Sequence, residues 1–322
     1  MMSAENIESD TAAEMVCCAS CGIAEVDEIK LKTCTACNSA RYCSVECQRN
    51  HRPKHKKACK KRAAEIRDEI LFRQPDGTHL GDCPICCLPL PLDLTKSAMM
   101  SCCSKMICRG CDYANRRRQI EERLRPTCPF CRNPVPETKE ESNKINLKRV
   151  AANDPVVLAE VGGRLGLEGD DDSAIEYLTK AAELGAVDAH IYLSWLYQKG
   201  GGVEKDEKKA LHHFEEAAIV GHPEARYQLA AIEQQNRRFD RMVKHLIIAA
   251  NLGHDESIQM LKKCYKEGKI SKEDFASALR AHQAAVNETK SPQREKASMM
   301  LNECEPISIQ DSGLLVRNFH LY

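Results

Sequence analysis

The sequence predicts a multidomain protein in which two small metal-held modules precede an all-α solenoid. Three observations carry that prediction. Seventeen of the nineteen cysteines fall between Cys17 and Cys131, most of them in pairs at zinc-ligand spacing. After Val150 a motif of paired small residues and glycine recurs at helix-length intervals. The apolar residues able to build a large core also lie mostly after Val150, so the first half needs something other than burial to hold it.

The first cysteine set, in a module at 17–59, reads Cys18-x2-Cys21, Cys34-x2-Cys37, Cys43-x3-Cys47 and His55-x3-Cys59. A Cys-x2-Cys pair places two thiolates on one tight turn, within reach of one tetrahedral ion. The x3 spacings suit a helical turn, since residues i and i+4 share a face. Short helices are therefore expected over Ser44 to His51 and around His55 and Cys59. Four protein ligands per ion leave no open position, which predicts structural rather than catalytic zinc. Cys17 is off register and reads as a bystander. The eight-ligand pattern, with Arg41-Tyr42 just before Cys43, resembles the MYND zinc finger. The resemblance implies two interleaved sites, Cys18, Cys21, Cys43 and Cys47 holding one Zn2+ and Cys34, Cys37, His55 and Cys59 the other. It also implies binding of short, often proline-containing peptides.

The second set, in a module at 80–135, reads Cys83-x2-Cys86, Cys102-Cys103, Cys108-x2-Cys111 and Cys128-x2-Cys131. It resembles a RING finger of α+β type, whose two sites also interleave in a cross-brace. The resemblance assigns Cys83, Cys86, Cys108 and Cys111 to one Zn2+ and Cys128 and Cys131 to a second. In the remaining positions the chain departs from the family. Cys103 falls on the third ligand and Lys105 where the family has histidine, and a protonated lysine has no lone pair to give. Cys102 is the nearest replacement; the alternatives are a crippled site or an outside ligand such as His79. The family's contacts to a ubiquitin-charged E2 enzyme fall on Ile85, Pro129 and Arg132. The segment Asp112 to Arg125 has Ile120 and Leu124 at helical spacing and reads as the helix such fingers carry before their last ligand pair.

The linkers are expected to be helical at 60–79, charged with a loose stripe of Ala64, Ile66, Ile70 and Leu71 ended by Pro75-Asp76-Gly77, and at 136–152. From 153 to 286 the repeats are explicit. Ala181-Ala182 with Gly185 recurs as Ala217-Ala218 with Gly221 and as Ala249-Ala250 with Gly253. Ala189 and Leu193 align with Ala225 and Leu229, and with Ser257 and Leu261. Paired small residues let helices pack closely, and glycine allows the left-handed turn that ends a helix. Such units bury their apolar face only by stacking. They resemble the Sel1-like repeat, a relative of the tetratricopeptide repeat, best from Asp188 to Gly221. Trp195, Tyr192, Tyr197 and Phe214 are expected in the inter-helix core, and His212 and His213 as packing or surface residues. The segments 1–16 and 287–322 are expected to be largely disordered, apart from a small apolar cluster at Leu314, Leu315, Val316 and Phe319.

Composition bounds the function. Lys plus Arg is 47 and Asp plus Glu is 47, so the net charge is zero, which argues against general nucleic-acid or anionic-membrane affinity. No stretch approaches a membrane span and no secretory leader is visible, so the thiols are expected in a reducing intracellular compartment, cytoplasmic or nuclear. No nucleophile–base pair or phosphate loop appears, since Gly200-Gly201-Gly202 lacks the following Lys-Ser/Thr. Two readings remain. One is an E3 ubiquitin ligase whose second module recruits an E2 while the solenoid and first module hold protein partners. The other is a non-catalytic scaffold built from the same parts.

Overall fold

The computed structural model describes residues 16–200 and 202–303. Two compact units divide the chain, one ending at Leu71 and the other beginning at Phe72. The expectations for 1–15 and 304–322, including the Leu314 to Phe319 cluster, lie outside the described residues.

In the first unit a two-residue antiparallel ladder, β1 (Lys32–Thr33) with β2 (Arg41–Tyr42), leads into one 27-residue helix, α1 (Val45–Leu71). This corrects the expected pair of short helices, because α1 runs unbroken through Pro53. Proline removes one intrahelical donor there. The core of this unit is made of ligand residues themselves, with Cys18, Cys34 and Cys37 buried beside Ala40 and Tyr42.

The second unit opens with a segment of turns and bends, not the expected helix. The helical stripe ends at Leu71, and residues 72–80 run along the solenoid. Phe72 packs against His245 of the solenoid, with ring centroids 4.6 Å apart and planes inclined by 41°, and lies under the Arg241 guanidinium at 4.7 Å. Asn251 donates to the Gln74 side chain at 3.0 Å, and the His79 N–H donates to the Gly221 carbonyl at 3.1 Å. Gly221 sits at φ +95°, and a Cβ there would stand 2.3 Å from the Gly77 carbonyl oxygen. Only glycine permits both that backbone and that approach.

The second cysteine module folds as a hairpin and a helix. Strands β3 (Ser97–Met100) and β4 (Lys105–Cys108) pair antiparallel, with Ser97 opposite Cys108 and Met100 opposite Lys105. Helix α2 (Arg109–Glu121) starts on Cys108, whose sulfur accepts the Cys111 N–H at 3.5 Å. Leu90 and Ile107 complete a small core with the buried Cys83, Cys108 and Cys111. Ile120, at 77% exposure, and Leu124, at 47%, face solvent. The α2 face turned inward carries Gly110, Cys111, Asp112 and Gln119.

Helix α3 (Lys139–Ala151) joins this module to the solenoid, capped by the Thr138 hydroxyl. The solenoid follows as α4 (Pro155–Glu168), α5 (Asp171–Glu183), α6 (Val187–Lys199), α7 (Glu207–Ile219), α8 (Pro223–Gln235), α9 (Phe239–Asn251), α10 (Asp255–Lys266) and α11 (Lys272–Glu288). The recurring small residues form its core. Ala181, Ala217, Ala249, Ala189, Ala225 and Ser257 are fully buried, with Leu193, Leu229 and Leu261 packed beside them. Phe214 is fully buried as expected, while Tyr192, Trp195 and Tyr197 are half-buried at its edge. A further helix, α12 (Pro292–Glu303), forms inside the segment expected to lack structure, and it packs on α2. No helix among the described residues is long and apolar enough to cross a membrane.

Candidate metal centres and the histidine ladder

Four tetrads bring their ligand atoms within 4.8 Å of one another: Cys18, Cys21, Cys43, Cys47; Cys34, Cys37, His55, Cys59; Cys83, Cys86, Cys108, Cys111; and Cys102, Cys103, Cys128, Cys131. The order is interleaved in both modules, so each centre clips segments distant in sequence and neither site can open without loosening the other.

Local backbone explains why the pairs converge. In four of them the residue just past the second cysteine turns left-handed: Gly22 at φ +76°, Asn38 at +54°, Cys87 at +54° and Arg132 at +61°. Each of these residues donates its N–H to the carbonyl of the first cysteine, at 2.9, 2.9, 2.9 and 3.0 Å. The first cysteine then donates across the hairpin, for example Cys83 to Leu88 at 2.9 Å and Cys128 to Asn133 at 2.8 Å. The fifth Cys-x2-Cys pair, Cys108 and Cys111, uses a helix N-terminus instead.

The hairpin tip brings both uncertain cysteines into one tetrad. Successive residues of a strand point to opposite faces, so Cys102 and Cys103 could not share an ion from within one. They sit instead on the turn between β3 and β4, where the Cys103 and Ser104 N–H groups both donate to the Met100 carbonyl and Ser104 reaches φ +51°. Cys102 Sγ stands 3.3 Å from Cys131 Sγ, and Cys103 Sγ 3.9 Å from Cys128 Sγ. Lys105 lies on β4 with its ammonium 5.9 Å from the Phe130 ring centroid. His79 does not join this tetrad. The last pair is held by α2, where Asn115 and Gln119 side chains donate to Thr127 at 2.9 and 2.8 Å.

The donor sets fit zinc. A tetrahedral ion with Zn–S of about 2.3 Å places neighbouring sulfurs about 3.8 Å apart. Observed separations include 3.5 Å for Cys21 to Cys43, 3.8 Å for Cys34 to Cys59 and 3.8 Å for Cys86 to Cys108, with His55 Nε2 3.3 Å from Cys37 Sγ. Crowded thiols also cannot all ionise unaided. Hydrogen bonding with Cys108 holds Cys83 down to about 4, while that same pairing and burial push Cys108 far up. Burial and the neighbouring thiols push Cys59 to about 11, whereas in Cys37 burial is outweighed by the hydrogen bonds of the Ser39 hydroxyl and backbone and of Cys34 and Cys59 together, which bring it down to about 6. A divalent cation removes this conflict by taking all four as thiolates.

A fifth group, His79, Asp188 and His222, brings its ligand atoms as close together, yet its geometry is that of a proton-bearing ladder. His79 Nε2 lies 3.4 Å and His222 Nε2 3.6 Å from the same Asp188 oxygen. The two rings stack at 3.9 Å, inclined by only 19°. A metal lies in the plane of each imidazole that binds it, and planes so nearly parallel share no point close to both nitrogens. His222 also accepts the Ala225 N–H on Nδ1, which leaves its proton on Nε2. The pattern repeats one unit on, where His254 Nε2 lies 3.4 Å from Glu224. In each case an acid in the first turn of one repeat meets the histidine that begins the next. Burial pushes His222 down to about 4, and its imidazole and that of His79 hold Asp188 well below the carboxylate range against the effect of burial.

Of the residues expected to face an E2, Ile85 is 41% exposed in the first ligand loop, Pro129 is half-buried and Arg132 is exposed. Phe130, which the sequence reading passed over, is 43% exposed beside Pro129. An apolar residue inside a ligand loop was the available signal.

Comparison with known proteins identifies two of the three regions. Residues 18–59 match the MYND finger family, and residues 158–185 and 187–222 match the Sel1 repeat. No curated protein matches the chain. Among solved structures, a Sel1 repeat protein from Oxalobacter formigenes is 22% identical, with a TM-score of 0.40, over 52% of this chain and 80% of its own. A protective antigen present in uropathogenic Escherichia coli strains and displaying an SLR fold is 21% identical, with a TM-score of 0.37, over 54% of this chain and 38% of its own. The chain thus carries a MYND finger followed, beyond its second cysteine module, by Sel1 repeats in a helical solenoid.

Proposed function

We propose that this protein is a zinc-held E3 ubiquitin ligase in which residues 80–135 act as a variant RING and the MYND finger and Sel1 solenoid bind protein partners. The observation that carries the reading is the ligand order of the second module. First, second, fifth and sixth cysteine positions form one tetrad and third, fourth, seventh and eighth the other, with Cys102 and Cys103 as the middle pair. Ile85 and Phe130 then stand exposed on the two ligand loops, an apolar pair suited to a partner surface. Such a module has no nucleophile. It accelerates transfer by holding the E2–ubiquitin thioester in an attack-ready orientation. Arg132, one residue past the last ligand, is the candidate bridge between E2 and ubiquitin. Each zinc is fully ligated and supplies only rigidity.

Autoubiquitination of the zinc-loaded chain with a panel of E2 enzymes tests the reading. Chain formation is expected, with a loss of tenfold or more, on the order of one good hydrophobic anchor, in Ile85→Ala. Arg132→Gly adds discrimination, because glycine relaxes the left-handed backbone at that position while removing the side chain. It should fold at least as well as wild type and still lose activity. Silence with every E2 favours the scaffold, a reading supported by the MYND and Sel1 regions, which are protein-binding modules in general.

A further inference from the structure

The helix least expected from the sequence, α12, reaches the first metal centre of the second cysteine module. Arg294 at its start is 8% exposed. Its Nη1 donates to the carbonyls of Pro89 at 2.6 Å and Thr289 at 2.7 Å; its Nη2 donates to the Leu88 carbonyl at 3.0 Å and to Cys86 Sγ at 3.3 Å. Gln293 donates to the Gly110 carbonyl at 3.0 Å. The helices meet tightly at Gly110, where a Cβ would lie 2.9 Å from Arg294 Cγ and 3.1 Å from its Cα. The contact joins residues 208 positions apart, so it exists only in the folded chain.

Electrostatics gives this contact a purpose. Four thiolates around one Zn2+ carry a net charge of −2. Cys83 and Cys108 are fully buried, Cys111 is 5% exposed and Cys86 is partly buried, so most of that charge is withdrawn from water. A buried net charge is costly unless a counter-charge and hydrogen bonds meet it. Arg294 brings both, with the guanidinium aimed at a ligand sulfur. The second tetrad is served differently. Arg149 of α3 donates to the Cys102 carbonyl at 3.1 Å and the Ser104 hydroxyl at 2.8 Å, and pairs with Asp154, so it steadies the hairpin tip without touching sulfur.

We propose that Arg294 is the outer-sphere partner of the zinc held by Cys83, Cys86, Cys108 and Cys111, and that docking of α12 on α2 locks that ion. A hydrogen bond from a buried cation fixes the Cys86 sulfur in place and offsets the negative charge of the tetrad, which slows the loss of metal. Undocking α12 would leave this one centre labile while the other three keep their ions. The inference rests on zinc occupying the tetrad.

Release of zinc from the full-length, zinc-loaded chain to a chromogenic chelator tests it. Cys83→Ser first identifies the kinetic phase that belongs to this tetrad. Arg294→Met is expected to speed that phase by about 10- to 100-fold, the usual effect of removing an outer-sphere partner. Arg294→Lys should fall between the two. Gly110→Ala, which keeps the guanidinium but forces α12 away, should accelerate the same phase. The other phases should not change, and Arg149→Met should leave this one alone. An unchanged phase in Arg294→Met, or equal acceleration of every phase, overturns the lock. Failure of Cys83→Ser to remove any zinc equivalent refutes occupancy of the tetrad itself, a separate failure from that of Arg294.

Discussion

Cys102 shows how much a single residue depends on the turn that carries it. In sequence it is one of two adjacent cysteines, and nothing in their spacing says that both can face one ion. The four-residue tip between β3 and β4 brings both sulfurs to Cys128 and Cys131. Replacing Cys102 with serine should therefore lower the zinc content of the intact protein by one equivalent, measured by metal analysis, whereas Cys87→Ser, an exposed thiol outside every tetrad, should change nothing. His222 makes a second prediction at this scale. Its folded pKa lies below that of an unfolded histidine, near 6.5, and Asp188 beside it is also depressed. In the unfolded chain each group binds its proton at a higher pH, so the His222 contribution is intact above about pH 6.5 and falls as the pH drops toward 4, and the Asp188 contribution is lost only below that. Thermal unfolding should show this loss, on the order of 1–3 kcal/mol across that window. His222→Asn keeps a capping acceptor and should flatten the slope.

Among elements, the repeats were legible because their physics is local. An alanine pair followed by a glycine marks where two helices touch and where the second one stops, and the alanines and leucines so aligned are the buried ones. Leu229→Ala should cost about 2–5 kcal/mol, read from chemical denaturation, since the side chain is enclosed on all sides. Gly221 does two tasks, ending α7 and admitting the Gly77 carbonyl. Gly221→Ala should lose about 1–2 kcal/mol from backbone strain alone and expose residues 72–80 to limited proteolysis, because the clash falls on that segment. Element boundaries were harder to read. The two x3 ligand spacings predict separate short helices, yet α1 runs through both pairs and through Pro53. The charged stripe beyond Cys59 looked like a linker reaching Gln74, yet the helix stops at Leu71 and Phe72 turns onto His245. The helix expected over Asp112 to Arg125 ends at Glu121, and its inner face carries a ligand and the polar groups that hold the Thr127 loop, while Ile120 faces solvent.

For the whole molecule, two kinds of stabilisation sit in one chain. The first unit buries little apart from its own ligand cysteines and Tyr42, whereas the solenoid carries continuous apolar clusters with no metal in them. Removing zinc with a strong chelator should abolish protease resistance from residue 17 to about 59 and through the second cysteine module, while most of the helical circular dichroism from α4 to α11 persists. What the sequence by itself determined was the ligand pairs, the repeat, and their order along the chain, because ligand spacing and helix periodicity are short-range properties of neighbouring residues. What only the tertiary structure decided was the partner of each distant group: Cys102 in the second tetrad, His79 on Asp188 and away from the metal, Phe72 on the solenoid, and Arg294 on Cys86. Those contacts join positions that no local spacing rule connects, and they form only once stacked helices and folded turns have fixed where each side chain stands.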